Sequence, residues 1–334
     1  MIMNIVRTRR LATVSLAATM LCYAGLLYAA SPATVQPWPA KPVRFVVPFG
    51  AGGMPDILTR VIAERLSKNN GHIFVVDNRP GAGGNIGAGI IARANPDGYH
   101  FLMTPGSVLT MNPSLYAQIP FDAESFVPAS LLGDMAIVLV VHARNPAKNL
   151  NDFIGEAKRD PGKVVFSSPG AGSSLHLALE LFRRTTGIAI QHVPYKSGAE
   201  AVTAVLSGQA TGLFMTPPVV MPHINAGTLR ALAIAGSKRL PQLPDVPATS
   251  EAELDGFDVS SWFGLVAPAK TPLPLVKRVS EQIAAVLREP EVQERFADLG
   301  VRSIGSNPGE FADFLRQDRA KWDEIIRATQ IRLD

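Results

Sequence analysis

The chain has 334 residues, long enough for two domains, and hydrophobic residues make up 47% of it, which excludes an intrinsically disordered protein. Three of its 32 basic side chains and none of its 28 acidic ones lie in the first 33 residues, so the remainder carries 29 bases against 28 acids. That balance provides no electrostatic basis for binding nucleic acid or an anionic membrane surface.

The first segment has the pattern of a secretory signal peptide, which we assign to residues 1–33. Three arginines within the first ten residues precede an uncharged apolar run over 11–28, and small residues suited to cleavage follow it. The run is close to the shortest that spans a membrane, so a retained anchor is the alternative. Cys22, the only cysteine, lies in this segment, so the mature chain has neither a disulfide nor thiol chemistry.

The first predicted strand is followed by a glycine loop and a helix, in the stretch VRFVVPFGAGGMPDILTRVIAERL (43–66). Pro55 and Asp56 suit the first turn of a helix, and a strand, loop and helix in this order offer backbone amides to an anion. A nucleotide phosphate is disfavoured, because Met54 and Pro55 stand where a P-loop has lysine and serine or threonine, and Pro55 also replaces a glycine of the dinucleotide fingerprint. A tight turn without a ligand is the alternative.

Apolar runs alternate with helical patterns along the rest of the chain, which predicts an α/β fold with a largely parallel sheet. The predicted strands cover 43–49, 73–77, 99–104, 137–142, 164–167, 191–194, 212–215, 229–235 and 264–267. The predicted helices cover 55–67, 85–94, 150–158, 173–185, 199–206, 273–287, 290–299 and 309–329.

Two extended stretches, 135–149 and 259–272, lack a helical pattern and are candidates for crossovers between two domains. If both cross, residues 34–141 and 262–334 form domain 1, which is discontinuous, and residues 142–261 form domain 2. A hinge of two segments leaves a cleft between the domains, where ligands commonly bind.

The strand, glycine loop and helix pattern recurs at 75–94, 164–182 and 192–209. Because the carboxyl ends of parallel strands meet at one edge of a sheet, up to four helix N-termini are expected to converge. Each helix end contributes roughly 0.3–1 kcal/mol toward an anion, and each amide bond to a charged group about 1.5–3 kcal/mol. Two or three such bonds with apolar contact approach the roughly −8 kcal/mol of micromolar binding.

The charged side chains near these loops form no convincing clamp for an anion. Arg79 follows Asp77 and is expected to pair with it, and Lys196 is a further candidate for a ligand contact. Ser173 and Ser174 are either ordinary helix N-caps or hydroxyl donors to a carboxylate.

Seven long motifs occur in order: WPAKPVRFVVPFGAGGMPDILTRVIAERL, VVDNRPGAGGNIGAGIIARANPDGYHFLM, NPSLY, GSSLHLALELF, VPYKSGAEAVTAVLSGQ, PHINAGTLRALAIAGSKRLPQLPDVPATSE and FGLVAPAKTP. Together they resemble the extracytoplasmic solute receptors of tripartite tricarboxylate transporters, the Bug-type receptors, over residues 38–334. The resemblance implies a two-domain periplasmic binding protein (type II-like, Venus-flytrap) with a ligand cleft. It also implies capture of a small organic carboxylate and its delivery to a membrane permease with a large and a small subunit, without a cofactor.

The resemblance also implies a ligand site, in which amides of the first loop and ordered water hold a ligand carboxylate and loops of the second domain add polar contacts. The residues that match these loops are Phe49, Gly50, Ala51, Gly52 and Gly53 in the first, Gly172, Ser173 and Ser174 in the second, and Tyr195, Ser197 and Gly198 in the third. We add Ser107, because the stretch TPGSVLTMN is unusual for the family, and expect both Ser107 and Thr110 to face the cleft.

The sequence departs from the family's pattern at three places. Gly50 and Ala51 stand where two prolines are usual, which adds an N–H at Gly50, and Glu200 lies where a proline is frequent. Met215 stands where an aspartate is common. Such an aspartate would pair with a ligand ammonium, so Met215 argues against an amino acid and favours a di- or tricarboxylate or an aromatic carboxylate. The alternative is that Met215 only fills the core.

Other classes of function remain as alternatives. A secreted serine hydrolase would need a Gly-x-Ser-x-Gly elbow, which GAGSSLH does not supply, although His176 follows Ser173 by one helical turn. The six histidines have no paired metal-ligand spacing, so we expect no metal site and no enzyme. A receptor that docks on a membrane histidine kinase would need the same closed state as a transport receptor. We expect a monomer that binds no nucleic acid.

Overall fold

A computed structural model describes residues 38–252, 254 and 257–333. The predicted signal peptide lies outside these residues. Residues 41–334 form one compact unit, and of the preceding unit, residues 1–40, only residues 38–40 are described. No helix within the described ranges is both long and apolar enough to cross a bilayer.

Ten strands and eleven α-helices make up the described part of the chain. The strands are β1 (Val43–Val47), β2 (Phe74–Asn78), β3 (His100–Pro105), β4 (Val127–His142), β5 (Val164–Ser168), β6 (Ile190–Pro194), β7 (Gly212–Met215), β8 (Leu229–Ala235), β9 (Ser260–Ala267) and β10 (Val301–Ser303). The helices are α1 (Met54–Asn70), α2 (Asn85–Ala92), α3 (Gly106–Thr110), α4 (Asn112–Leu115), α5 (Leu150–Arg159), α6 (Ser174–Thr186), α7 (Gly198–Leu206), α8 (Pro217–Asn225), α9 (Leu273–Val286), α10 (Pro290–Asp298) and α11 (Pro308–Thr329). Single 3-10 turns occur at Ala82–Gly84 and Thr249–Ala252.

The strands form one sheet in the order β2-β1-β3-β9-β4-β7-β5-β6, with β8 and β10 also paired to β4. The long strand β4 therefore belongs to two halves of the sheet. Its residues 127–136 pair with β9 and β10, and its residues 137–142 pair with β7 and β8. The first predicted crossover, residues 135–149, thus begins inside β4, which continues without a break to His142.

The sheet is mixed rather than largely parallel. Strands β1, β2 and β3 run parallel in one half and β5, β6 and β7 in the other, but β4 pairs with all its neighbours in the antiparallel sense. β4 takes the chain from the first half of the sheet into the second, and β9 is the strand with which the chain returns to the first half. The two strands therefore run in opposite directions where they pair. The parallel prediction holds for β1, β2 and β3 and for β5, β6 and β7, which include the strands that carry the glycine loops.

The long helix α11 packs against the cores of both halves. Phe311 and Leu315 belong to one buried cluster with strands β1, β3 and β9, and Trp322, Ile325 and Ile326 belong to the other with α6 and β7. These apolar side chains recur at helical spacing, so one stripe of α11 is buried along its length. The helices α3, α4 and α8 and the strand β10 escaped prediction, because they are short or begin with proline pairs such as Pro217 and Pro218.

Candidate functional site

The first glycine loop is closed by its own helix. Gly53 is the N-cap of α1, and Asp56 in the first turn accepts the Gly52 N–H through Oδ2 at 2.9 Å. Arg60 donates to the same oxygen at 3.0 Å, and Asn78 donates to the Phe49 carbonyl at 3.0 Å. Burial raises the pKa of Asp56, but the hydrogen bonds from Arg60 and the Gly52 amide outweigh it and hold that pKa below its usual range. The loop is therefore stiff, and the Gly52 amide is not available to a ligand.

Other amides of this loop stay free. Within the described residues, the N–H groups of Ala51, Gly53 and Met54 have no acceptor. Gly50, Ala51 and Gly52 are solvent-exposed, whereas Phe49 and Gly53 are half-buried. The loop can still donate hydrogen bonds to an anion, through the amides of Ala51, Gly53 and Met54 and not through every amide of the glycine sequence.

A second glycine turn lies beside the first loop. A Cβ built on Gly84 would lie 2.7 Å from Val108 and 3.3 Å from the ring of Phe49, so Gly84 is packed between them, and its φ of 97° also favours glycine. Asn112 donates to the Gly83 carbonyl at 3.0 Å. The sequence motif at 75–94 marked this turn, but the predicted site did not include it.

The loop before α6 holds most of its own polar groups. Ser173 is the N-cap: its Oγ accepts the His176 N–H at 3.1 Å and donates to the Gly170 carbonyl at 2.8 Å. The N–H of Gly172 donates to Nδ1 of His176 at 3.0 Å. Ser174 differs, because neither its hydroxyl nor its amide has a partner among the residues described. The N-cap interpretation is thus correct for Ser173, and Ser174 is the serine free to meet a ligand.

The loop before α7 has a similar design. Tyr195 donates its N–H to the Ser168 carbonyl at 2.8 Å, which ties this loop to the preceding one, and Ser197 caps α7 by accepting the Glu200 N–H. The amides of Gly198 and Ala199 have no acceptor in the part of the chain that the structure describes.

Met215 lies below the start of α7 rather than in an open pocket. It is only 2% exposed, and a Cβ on Gly198 would lie 3.3 Å from its Sδ and Cε. Met215 therefore supports the helix end that offers free amides. Its side chain can shape the floor of the site but has little surface to give to a ligand.

Of the remaining candidates, Ser107 is half-buried in the first turn of α3. The expectation that Thr110 faces the cleft is wrong: Thr110 is fully buried and donates to Asp318 on α11 at 2.9 Å. Arg79 pairs with Asp77 at 2.9 Å, as its position in the sequence suggests. Lys196 is exposed, and its backbone N–H donates to Glu200.

The C-terminal segment connects two groups of loops: the first loop with the glycine turn at Gly83 and Gly84, and the loops before α6 and α7. Leu333 donates its N–H to the Leu115 carbonyl at 2.8 Å and pairs with Tyr116 in a short parallel bridge. Tyr116 in turn packs against Gly83, and a Cβ on Gly172 would lie 2.5 Å from Leu333. No motif surrounds Leu333, so sequence reasoning had no signal for this contact.

In the described residues, the serine and histidine that a hydrolase could use are hydrogen-bonded to the backbone of their own loop. Nδ1 of His176 accepts the Gly172 amide and Ser173 donates to Gly170, so the two side chains do not form a nucleophile and base pair. Among the described residues, no group of three histidine, cysteine or carboxylate side chains could hold a metal ion.

Comparisons with known proteins find a family model, curated relatives and solved structures that the chain resembles. The model of the tripartite tricarboxylate transporter family receptor, TctC, matches residues 58–331. The chain is 35% identical to protein BugT of Bordetella pertussis, over 91% of this chain and 94% of that one. It resembles a solved R. palustris protein with adipate (32% identity, TM-score 0.74, 87% of this chain and 97% of that one) and MatC from Rhodopseudomonas palustris with bound malate (28% identity, TM-score 0.71, 86% and 100%).

Proposed function

The chain belongs to the receptor family of tripartite tricarboxylate transporters and has the fold of its periplasmic binding proteins, and from this we propose that it captures a small organic carboxylate in the periplasm and delivers it to a transporter permease. The permease partner would consist of a large and a small membrane subunit. The receptor itself works as a monomer, without a cofactor and without catalysis.

The observation that carries this proposal is the set of free amides at three helix starts. Ala51, Gly53 and Met54 at α1, Ser174 at α6, and Gly198 at α7 present donors with no acceptor in the described chain. Amide bonds to a charged acceptor contribute about 1.5–3 kcal/mol each, so three or four of them approach the roughly −8 kcal/mol of micromolar affinity. These helix ends also bring partial positive charge without a cationic side chain.

We propose a site that keeps the thirteen sequence candidates as its neighbourhood but divides their roles. The direct donors are the amides of Ala51 and Gly53, the amide and hydroxyl of Ser174, and the Gly198 amide on the third loop. The free amide of Met54 is added to them. The others shape or support these donors: Phe49, Gly50, Gly52, Ser107, Gly172, Ser173, Tyr195, Ser197 and Met215.

We further propose that the cleft lies between domain 1, residues 34–141 with 262–334, and domain 2, residues 142–261. The support is that β4 runs from the first half of the sheet into the second and that β9, the next strand after β8, pairs again with strands of the first half. Ligand would then be enclosed by rotation about these strands, and the closed form would be the one that the permease recognises.

The relatives solved with adipate and malate suggest that the ligand is a dicarboxylate. Two loop groups on opposite sides of a cleft suit an acid with a carboxylate at each end. The buried thioether of Met215 supplies no countercharge for an ammonium group, so amino acids should bind poorly.

A thermal-shift panel tests the proposal. Malate, adipate and benzoate are compared with glutamate and aspartate, and at least one plain acid is expected to raise the melting temperature at concentrations where the amino acids do not. Ser174→Ala should weaken binding of the active acid, whereas Ser207→Ala at the far end of α7 serves as the control. A panel without any stabilising acid, or turnover of an ester by the pure protein, would contradict the assignment, and preference for glutamate would contradict the argument from Met215.

A further inference from the structure

Two histidines lie stacked beneath the loop that precedes α6. The rings of His176 on α6 and His192 on β6 are 3.8 Å apart between centroids and only 11° from parallel. His176 is 6% exposed, and His192 is half-buried. Neither ring belongs to the set of direct donors proposed above, and buried imidazoles in face-to-face contact call for a physical reason.

Each ring is hydrogen-bonded to a group that holds the loop. Nδ1 of His176 accepts the Gly172 N–H at 3.0 Å, so the proton of the neutral ring is on Nε2, which lies 3.6 Å from Oε1 of Glu180. Nε2 of His192 lies 2.7 Å from Oγ of Ser168. That hydroxyl contacts both the carbonyl of Gly170, at 3.1 Å, and its N–H, at 3.3 Å.

We infer that the His176–His192 stack is a positioning unit of the binding site, which holds the loop 170–173 so that the hydroxyl and amide of Ser174 point toward the ligand. The inference rests on the proposed function. His176 anchors the loop directly and His192 through Ser168, and Gly172 and Gly170 are the points of attachment. Gly170, with a φ of 139°, and Gly172, with a φ of 73°, adopt conformations that other residues rarely reach, so this loop needs external support.

The unit works only while both rings are neutral. A proton on Nδ1 of His176 would remove the acceptor of the Gly172 N–H and leave two donors facing each other. The ionisable groups around the stack are Glu180, whose side chain is 6% exposed, and Arg183, which pairs with Glu180 at 2.7 Å. Burial lowers the pKa of His192 to about 4, with a further lowering from His176 and an opposing effect of Glu180. The His192 ring therefore stays neutral well below the pH at which an ordinary histidine takes up a proton.

A conservative pair of variants separates positioning from simple packing. In His176→Asn, the amide oxygen can occupy the place of Nδ1 and accept the Gly172 N–H, whereas His176→Leu fills the space without an acceptor. The ligand is the acid that stabilises the wild type most, malate or adipate. We expect His176→Leu to raise its Kd about tenfold or more, and the Kd of His176→Asn to stay within about threefold of the wild-type value. His223→Leu, on α8, is the matched control.

Two further measurements complete the test. Hydrogen exchange of the Gly172 amide, followed without ligand, should speed up in His176→Leu and not in His176→Asn. Below about pH 5, the wild type should lose affinity more steeply than His192→Gln. Protonation of the ligand affects both proteins equally, but the glutamine side chain cannot be protonated. Equal affinities in the Leu and Asn variants, or equal losses that follow the melting temperature, would overturn the positioning role. If no acid binds the wild type, the proposed function fails, and the exchange experiment still decides for or against the role of the stack.

Discussion

Asp318 on α11 is the side chain whose loss should damage the protein most. The carboxylate is 5% exposed and accepts from Thr110 Oγ1 and Trp262 Nε1, both at 2.9 Å, through Oδ2. Through Oδ1 it accepts from Trp322 Nε1 at 3.1 Å and pairs with Lys321 at 3.0 Å. One side chain thus ties α11 to α3 and β9, as well as to the following turn of its own helix.

The expected cost follows from the donors left behind. Asp318→Ala strands two buried donors, the indole N–H groups of Trp262 and Trp322, whereas the Thr110 hydroxyl can still donate to the Gly106 carbonyl at 3.0 Å. Each stranded donor costs about 1–3 kcal/mol. Partial entry of water reduces the sum, so we expect a loss of about 2–5 kcal/mol, a large share of the roughly 5–15 kcal/mol that stabilises a native protein. Asp318→Asn keeps one acceptor oxygen and should lose about half as much. The Lys321 pair is partly exposed and adds little.

Urea unfolding followed by far-ultraviolet circular dichroism measures this loss. Tryptophan fluorescence provides a second signal, because Trp262 and Trp322 are both nearly fully buried and both lose an indole partner. The matched control is Asp313→Ala on the same helix, where the carboxylate is 63% exposed and pairs with Arg316. If Asp318→Ala were no more destabilising than this control, the reasoning from stranded buried donors would be refuted.

Two other predictions concern the loops and the stack. Gly172→Ala should destabilise the protein more than Gly187→Ala, because both glycines have a left-handed φ but Gly172 also lies against Leu333. About 1–2 kcal/mol of backbone strain is common to both variants, and overpacking against Leu333 adds roughly 1–3 kcal/mol in Gly172→Ala. Chemical denaturation can resolve this difference in unfolding free energy. Because the folded pKa of His192 lies near 4, below its unfolded value of 6.5, its neutral form is favoured by folding; the resulting stability is complete above about pH 6.5 and is lost as the pH falls toward 4. Melting temperatures of the wild type should therefore fall more steeply over that range than those of His192→Gln, and parallel curves would contradict the prediction.

The proposed site would bind an anion without a cationic clamp. Asp56 and Arg60 neutralise each other beside the first loop, and Arg79 is paired with Asp77, so neither arginine is free. Backbone amides at helix starts then remain as the donors. Their advantage is rigidity, since they lose no side-chain freedom when the ligand binds.

Local pattern was sufficient for much of this molecule. The periodicity of α1, α6 and α11 and the glycine loops before α1 and α6 are properties of neighbouring residues, and the helices appear within a few residues of their predicted bounds. Even the hydrogen bond from Gly52 to Asp56 is local, since a carboxylate in the first helical turn reaches back over four residues, and the sequence contained the signal for it.

The sequence alone determined that four glycine loops precede helices and that the chain resembles a receptor family. Only the tertiary structure decided which amides remain free, that Thr110 turns to Asp318, that Met215 lies under α7 and that Leu333 joins the two loop groups. The contacts of Thr110 with Asp318 and of Leu333 with Leu115 join residues more than two hundred positions apart, and Met215 meets Gly198 across 17 positions. Which amides remain free depends on which of them a nearby carboxylate or imidazole already occupies. Hydrophobic periodicity specifies which face of an element is buried, but it does not specify what that face meets.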